Sequence, residues 1–531
     1  MTRFTIPLTQ FEKILPPEPK VLPDAKDESA HSGVDMAELK RKSVRGGAVT
    51  MASQGIGIAI QLTSTAVLAR LLTPGDYGVI AMVVAITSFA GLFRDLGLSS
   101  AAIQKKDLTR AQQSNLFWLN VVMGTLLTAL VAAGAPLVVW FYSKPELYLV
   151  TVALSTSFFI ASLSSQHGAM LVRNMQFVQR AVAGLTGAIV TLAVALILAL
   201  NDYSYWALVW GNLAGTTTTT VLIVVLSPFR PGLISRGSGI RDMLKFGANI
   251  TAFDFVNYFH RNLDNLLLGR YWGTGALGFY SRAYSLLLLP INILRGPINA
   301  VGFPALSLLS DNPESYRSYY RKLTNTLALA SCPFVAYLFV TSEAVIHLVL
   351  GPGWDAIVPI FEILAAVALI QPTVTLWGMV LISRGLGSRY LYIGIFNTLA
   401  SALGFLVGLR WGALGVAAGY ACATYLSTYP LLHFAFRHTP VSCRDFFDSV
   451  ARPLGASVLS AIICRFLILA PLTLSPMLQL VTSALVFPGL YLLFLRLLPG
   501  RRSELILLDD AYRLARSWIA RKKATRFASN Q

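Results

Sequence analysis

Residues 254–269 read DFVNYFHRNLDNLLLG and residues 270–290 continue RYWGTGALGFYSRAYSLLLLP, so charged side chains stand inside an apolar run. In a helix, the polar residues of the first part fall on one face, at spacings of i, i+3, i+7 and i+10 or i+11. They are Asp254, Asn257, Arg261, Asp264 and Asn265. Over residues 254–264 this stripe rises about 15 Å, roughly half of a ~30 Å hydrocarbon core.

A charge at the middle of a membrane costs about 2.5–3.5 kcal/mol, and more when it has no partner. Lipid would expel such a stripe, so it must face protein or a water-filled cavity. One interpretation is an ion pair of Arg261 with Asp254 or Asp264 that locks the helix. The leading hypothesis is a polar-lined path through a membrane protein, because an ion pair does not need a whole polar face.

The composition predicts a membrane protein. Of the 531 residues, 55% are hydrophobic and 13% are charged, and the mean hydropathy is +0.61. Soluble proteins carry about 25% charged residues. The formal net charge of +18 comes from basic residues in short loops between apolar spans. It therefore indicates a positive-inside topology and not a nucleic-acid partner.

Catalytic and metal sites are not indicated by the sequence. The four cysteines and six histidines have no pairing or metal-ligand spacing. We find no Walker A loop, no GxSxG and no glycine-rich dinucleotide fingerprint. No connecting loop is longer than about sixteen residues, which leaves no room for an extramembrane catalytic domain. The sequence therefore predicts a protein that is not an enzyme and that uses no metal or cofactor.

The apolar runs predict an all-α, polytopic helical bundle of about fourteen transmembrane helices. Their predicted limits are 46–70, 77–103, 114–142, 147–170, 180–201, 204–226, 243–269, 276–307, 323–350, 355–383, 390–409, 412–436, 450–471 and 475–498. Residues 1–45 are polar and predict a disordered cytoplasmic tail. Residues 499–531 predict a basic cytoplasmic tail, which either lies on anionic headgroups or is solvated.

The charges of the loops predict the orientation. One set of alternate loops is rich in basic residues, such as Lys105, Lys106 and Arg110. The opposite set has little beyond Arg70, Lys144, Arg270 and Arg410. Positive loops stay in the cytoplasm, so both termini are predicted to be cytoplasmic, as an even number of spans requires.

The chain repeats itself at an offset of 200 residues. LARLLTPGDYG (68–78) falls on LGRYWGTGALG (268–278), with leucine, arginine and two glycines matched. At the same offset Gln54 and Gln61 fall on Asp254 and Arg261, so the first and seventh spans have polar faces in register. We therefore expect two six-helix lobes, at 46–241 and 242–437, with a shared cavity between them. The last two spans, at 438–498, lie outside the repeat.

The eighth span adds a second polar stripe, formed by Asn292, Arg295 and Asn299, with Arg282 nearer its start. Together Arg261, Arg282 and Arg295 exceed Asp254 and Asp264 by one charge, so the predicted cavity is net positive. Because guanidinium groups bind phosphate oxygens bidentately, an anionic substrate is favoured. A further intramembrane charge, Arg465, is interpreted as a snorkelling side chain.

Several of these segments resemble a known family. LARLLTPGDYG (68–78), FRDLGLSSAAIQKKDLT (93–109), NLFWLN (115–120) and LDNLLLGRYWGTGALGFYSRAY (263–284) are similar to the polysaccharide transporter family of lipopolysaccharide-biosynthesis flippases. The branch resembled is the Wzx-like, colanic-acid exporter type of the multidrug/oligosaccharidyl-lipid/polysaccharide superfamily, and the resemblance covers about residues 40–495. It implies a fourteen-helix bundle in the bacterial plasma membrane. It also implies export of a polyprenyl-diphosphate-linked oligosaccharide by alternating access, with a cationic cavity for the diphosphate.

The residues and the resemblance together predict site roles. Three arginines would hold the diphosphate: Arg261, Arg282 and Arg295. Four amides would meet sugar hydroxyls: Gln54, Gln61, Asn257 and Asn299. Two aspartates, Asp254 and Asp264, would orient the arginines or carry a coupling proton. Lipids are expected partners, and polysaccharide-assembly machinery is a further candidate. The alternatives are a cation-coupled multidrug antiporter, which would prefer an acidic cavity, and a membrane polysaccharide polymerase or ligase, which would need a large outer loop.

Overall fold

A computed structural model describes residues 36–95, 97–105, 107–235, 241–469 and 475–498. For residues 36–44, 241–257, 259–261, 289–290, 293, 297, 299–300 and 467–469 it describes the backbone alone. The predicted C-terminal tail and most of the predicted N-terminal tail therefore lie outside the described residues. The first described helix covers Met36–Ala69 and contains nearly all of the predicted first span, 46–70.

The regular structure of the described residues consists of helices. The first eight are α1 (Met36–Ala69), α2 (Pro74–Asp95), α3 (Leu98–Gln104), α4 (Arg110–Ala133), α5 (Ala135–Tyr142), α6 (Leu147–Arg173), α7 (Phe177–Leu200) and α8 (Trp206–Leu226). The next eight are α9 (Arg241–Leu308), α10 (Pro313–Val340), α11 (Ser342–Val349), α12 (Ile357–Ala368), α13 (Gln371–Val374), α14 (Trp377–Ser383), α15 (Gly387–Gly408) and α16 (Gly412–Phe436). The last two are α17 (Cys443–Ile463), continued by a π-helical turn (Cys464–Leu469), and α18 (Pro476–Leu497).

Eleven helical stretches of the described residues are long and apolar enough to cross a membrane. One of them, Gly387–Phe436, contains both α15 and α16, which are separated at Gly412. The eleven do not include α9, which covers the predicted seventh and eighth spans. The all-α membrane bundle predicted from the sequence is confirmed, while the number fourteen stays a prediction.

Glycines interrupt the helices at two places. One lies inside the predicted second span, and the other lies between the predicted seventh and eighth spans. The predicted span 77–103 is two helices, α2 and α3, with Gly97 at φ 67° between them. Gly273, at φ 77° and ψ −170°, interrupts α9 between its two halves. Residues with a side chain rarely adopt such positive φ values, whereas glycine does so without steric cost. The break at Gly273 lets the second half of α9 return across the bundle.

The core joins the two predicted lobes. The helix α2 packs along α9, and the hydroxyl of Tyr258 in α9 donates to the carbonyl oxygen of Ala85 in α2. Met82 and Val83 from α2 are fully buried in the same apolar cluster as Leu268 from α9. This contact joins the N-terminal half of the chain to α9, the helix that carries the predicted polar stripe of residues 254–265.

Close glycine contacts hold α15 against α16. A Cβ on Gly408 would overlap the carbonyl oxygen of Gly415, and a Cβ on Gly415 would overlap that of Gly408. Gly404 and Gly419 approach each other in the same reciprocal way. Small residues four apart allow backbones to touch, which is a common way for membrane helices to associate.

The last two helices dock on the rest of the bundle through polar contacts. Asp445, at the start of α17 and 1% exposed, accepts from Arg317 Nε at 2.8 Å. Near the other end, Arg465 Nη2 lies 3.1 Å from Glu362 Oε1, and Nη1 donates to Val340 O at 3.2 Å. Arg465 therefore forms an ion pair, and it satisfies a carbonyl beside the break between α10 and α11. Its snorkelling stays a prediction.

Candidate functional site

The two halves of the chain meet at one end of the bundle, which we call the turn end. It consists of the connections 70–74, 143–147, 270–275 and 350–356. Arg70 Nη2 donates to Leu348 O at 2.8 Å, and Arg270 Nη1 donates to Ser143 Oγ at 3.5 Å. The two arginines are matched by the repeat, and each reaches the end of a helix in the opposite half. Their contacts therefore form a reciprocal pair.

Two matched glycines bring the backbones together at the turn end. A Cβ on Gly78 would overlap the carbonyl oxygen of Thr274, and a Cβ on Gly278 would overlap that of Pro74. Gly78 and Gly278 are 200 residues apart, and so are Pro74 and Thr274. The start of α2 and the start of the second half of α9 thus pack backbone to backbone.

Just inside this contact, Arg282 of α9 lies over the ring of Tyr77 of α2, with Cζ 4.4 Å from the ring centroid. Arg282 is partly buried, and its Nε is enclosed without a hydrogen-bond partner. The nearby carboxylate of Asp76 is occupied, since it accepts from the backbone N–H of Thr73 at 2.8 Å and from the hydroxyl of Ser204. Among the described residues, the guanidinium therefore has an aromatic face but no acidic partner.

Asp264 lies elsewhere, inside the C-terminal half. It is 4% exposed, and its Oδ2 accepts from the hydroxyl of Tyr280 at 2.9 Å while its Oδ1 accepts from Asn265 N at 2.8 Å. Tyr280 stacks on Tyr284, with ring centroids 6.3 Å apart. Thus the described partners of the carboxylate are neutral donors, which leaves one carboxyl group enclosed among tyrosines in the apolar core.

Arg295 and Asn292 lie further along α9. Arg295 is partly buried and Asn292 is exposed. Residues 282 and 295 are about 20 Å apart along a helix at 1.5 Å per residue. The backbones of the two arginines therefore lie at different depths of the bundle. On α1, Gln54 and Gln61 are both exposed.

Four predicted site residues lie outside the described side chains. They are Asp254, Asn257, Arg261 and Asn299, all within α9. Their backbones are helical, as predicted. Their roles, like those of the other predicted site residues, stay predictions.

The sequence analysis did not identify Tyr77 and Tyr280 as site residues. It also did not predict the hydrogen bonds between α4 and the connection that follows α8. Asn115 Nδ2 donates to Ser235 O at 2.6 Å, and its Oδ1 accepts from Ser235 N at 2.9 Å. Trp118 Nε1 donates to Gly232 O at 2.9 Å. Both side chains belong to the segment NLFWLN, which carried the family resemblance. Tyr77 likewise precedes the matched Gly78 in the segment LARLLTPGDYG. The only sequence signal for these residues was therefore their place in segments that resemble the family.

Two further features of the described residues do not add to this site. No group of three or more His, Cys, Asp or Glu in the described part of the chain could hold a metal ion. A groove of about 720 Å³ lies between α15 and α16, and its lining is almost entirely apolar, with residues such as Leu403, Val407, Leu414 and Leu426. It contains no charged residue and therefore does not extend the polar path.

The comparisons with known proteins agree with this architecture. The chain is 26% identical over 432 residues to the lipopolysaccharide biosynthesis protein WzxC of Escherichia coli K12, covering 79% of this chain and 86% of WzxC. It is also 26% identical to the teichuronic acid biosynthesis protein TuaB of Bacillus subtilis 168, covering 71% and 79%. The solved structure of the lipid II flippase MurJ, in an inward closed conformation, has the same fold, with a TM-score of 0.68 at 14% identity over 85% of this chain and 98% of MurJ.

A family model described as "Polysaccharide biosynthesis protein" matches residues 67–359, more than half of the chain. The matched region contains both glycine turns, the segment NLFWLN and all of α9. The family resemblance predicted from these segments is confirmed. The chain belongs to the polysaccharide biosynthesis protein family.

Proposed function

We propose that this multi-pass membrane protein is a flippase that moves a polyprenyl-diphosphate-linked oligosaccharide across the bacterial inner membrane, with no enzymatic step. The observation that carries the proposal is Arg282, a guanidinium between the two halves of an apolar bundle with no acidic partner among the described residues. Guanidinium groups pair with phosphate oxygens, so this position suits an anionic headgroup. The polysaccharide-biosynthesis names of the relatives support the same substrate class.

The arginines are successive binding sites for the diphosphate along the path. Arg282 stands near the turn end, Arg295 lies about 20 Å further along the helix, and Arg261 lies at a depth similar to that of Arg282 on the first half of α9. A diphosphate would pass from one group to the next as the lobes move. Amide side chains along the path would contact the sugar hydroxyls; they are Gln54, Gln61, Asn257 and Asn299.

The lobes of this flippase comprise residues 46–241 and 242–437, and residues 438–498 form an added helix pair. Support comes from the reciprocal contacts at the turn end, where Gly78 and Gly278 each press on the turn of the other half. Such pairs are expected when two repeats are related by an axis along the membrane normal. Rocking of the lobes about this contact would open the path on alternate sides.

Both termini face the cytoplasm in this proposal, and the turn end faces outward. The connections at the opposite end of the bundle are rich in arginine and lysine, and positive loops stay in the cytoplasm. With this orientation, the contacts of Gly78, Gly278, Arg70 and Arg270 close the path toward the outside. Substrate would therefore enter from the cytoplasmic leaflet in this state. Lipids surround the protein, and polysaccharide-assembly enzymes are candidate partners.

Asp264 is the proposed site of proton coupling, with Asp254 as a second carboxylate on the same helix. The enclosed carboxylate of Asp264 has neutral tyrosine and backbone donors, so protonation would remove a buried charge without breaking an ion pair among the described residues. The alternative is a permanent structural role, with transport driven by consumption of the product outside.

Replacing Asp264 with asparagine separates these two roles, because Asn keeps the shape but cannot ionise. Under the coupling proposal, flipping in reconstituted vesicles should lose its dependence on an imposed pH gradient while the protein stays folded. Tyr392→Phe, at an exposed position, is the control. Wild-type flipping that does not respond to any imposed ion gradient would rule coupling out.

Cells that lack the protein test the function against its alternatives. We expect the lipid-linked oligosaccharide to accumulate in the cytoplasmic leaflet and the surface glycan to disappear. A polymerase or ligase would instead leave single, already translocated units on the outer leaflet. A multidrug antiporter would leave the glycan unchanged and alter drug sensitivity. Either of those outcomes would contradict the proposal.

A further inference from the structure

The contact between Arg282 and Tyr77 is the most unusual polar feature at the junction of the two halves. The ring belongs to α2 and the guanidinium to α9, with 4.4 Å between Cζ and the ring centroid. Tyr77 is 4% exposed, and its hydroxyl has no hydrogen-bond partner. The ring is held in place by its edge contact with Trp354, at a centroid distance of 5.6 Å. A rigid aromatic face therefore supports one side of the cation.

Stacking leaves the donors of the arginine unused. A cation over a ring is attracted through its face, whereas hydrogen bonds to an anion form along the edge of the guanidinium plane. Among the described residues, Arg282 makes no hydrogen bond and no ion pair, and its Nε is enclosed. A charge inside an apolar bundle is costly unless it finds an opposite charge. The arrangement is that of an oriented guanidinium whose edge donors suit an anion.

The pair also breaks the twofold repeat. The positions matched to Arg282 and Tyr77 at the offset of 200 are Met82 and Leu277, and both are fully buried apolar residues. Met82 and Leu277 cannot form the same contact, so the repeat itself does not require it. Packing alone would be satisfied by an apolar pair, as it is at the matched positions.

We propose that Tyr77 is a positioning residue for Arg282, and that the two form a phosphate-binding half-site that is complete only while the turn end is closed. This inference rests on the proposed function, since the anion would be the diphosphate of the lipid-linked sugar. Because one partner comes from each half, separation of the lobes removes the ring from the cation. Phosphate would therefore bind more tightly to the closed state and leave as the turn end opens.

Inorganic pyrophosphate is the probe, titrated into the purified full-length protein by calorimetry. We expect Tyr77→Leu to weaken its binding about tenfold, the loss of a partly desolvated cation–π contact, and Arg282→Gln to weaken it further. Tyr77→Phe, which keeps the ring, should stay within about threefold of the wild type. Arg410→Gln and Tyr392→Leu, both at exposed positions, are the matched controls.

A second measurement reports the state of the turn end. In a Gly75→Cys/Thr274→Cys protein, a Cβ at position 75 would lie 3.9 Å from Thr274 Oγ1, so the two thiols can be crosslinked when the end is closed. Pyrophosphate should increase this crosslink in the wild-type background and with Tyr77→Phe, but not with Tyr77→Leu. Detection by mass spectrometry separates it from other thiol products.

The inference is overturned if the wild-type protein does not bind pyrophosphate, if Tyr77→Leu binds it as the wild type does, or if Tyr77→Phe loses as much as Tyr77→Leu. Glycan export by the same variants in cells tests the proposed function separately. If the wild type exports glycan but the variants do not differ in pyrophosphate binding as expected, only the half-site is contradicted. If the variants bind pyrophosphate as expected but the wild type exports no glycan, only the proposed flippase function is contradicted.

Discussion

Replacing Gly78 with valine should lower glycan export by about 5–150-fold while the protein stays folded and inserted. The added Cβ would overlap the carbonyl oxygen of Thr274, and backbone cannot move aside as a flexible side chain can. Overpacking costs about 1–3 kcal/mol, which shifts a two-state equilibrium by about 5–150-fold. The cost falls on the state in which the turn end is closed, so the substrate-loading state should become rare. Gly278→Val should act in the same way, through Pro74.

A close control lies in the same turn. At Gly275 a Cβ would meet nothing within 4 Å, so Gly275→Val should export normally. Accessibility of a cysteine placed at position 75 to a membrane-impermeant reagent should rise in the Gly78→Val protein. Normal export by Gly78→Val would show that close packing at the turn end is not part of the transport cycle.

Replacing Arg295 or Arg261 with alanine should also strongly lower glycan export. Each guanidinium is proposed to form charge-assisted hydrogen bonds with the diphosphate, and such bonds contribute about 1.5–3 kcal/mol each. Arg295→Ala and Arg261→Ala should therefore lower export by about 10–100-fold without loss of the inserted protein. Export measured against the amount of protein in the membrane checks this.

Arg410→Ala serves as the control, because Arg410 is exposed in the short 3-10 turn between α15 and α16. It should export normally. If Arg261→Ala lowers only the amount of protein, Arg261 is part of a structural ion pair and the diphosphate is bound elsewhere. Charge repair by Arg295→Lys should restore part of the export, since a lysine keeps the charge but not the bidentate fork.

The bundle itself could be read from the sequence, because each membrane-crossing helix must contain enough apolar residues to cover the hydrocarbon layer. The predicted spans 147–170 and 412–436 correspond closely to α6 and α16. The breaks inside spans could not be placed in this way. The interruption between α10 and α11 at Thr341 leaves the apolar run intact, and it is accommodated by Arg465 from a distant helix.

The candidate site was only partly predictable from the sequence, because it too depends on contacts between distant parts of the chain. Periodicity identified Arg282 and Asp264 as charged positions within spans, since a charge in an apolar run is visible in the sequence. Their partners come from packing: Tyr77 lies 205 residues from Arg282 in the chain, and Tyr280 reaches Asp264 across the break at Gly273. An uncharged tyrosine in a membrane helix carries no signal of such a role. Only its place beside the repeated glycine set Tyr77 apart.

Flipping by the purified protein is the most direct test of the central claim, that this chain itself moves a diphosphate-linked glycan across a bilayer. The protein is reconstituted into vesicles with a fluorescent polyprenyl-diphosphate oligosaccharide, and the fraction accessible to an added lectin is followed over time. We predict rapid transfer between leaflets with the wild-type and Arg410→Ala proteins, and transfer near that of protein-free vesicles with Arg295→Ala. Transfer by the wild type at the protein-free rate, in vesicles where the protein is folded and inserted, would contradict the account.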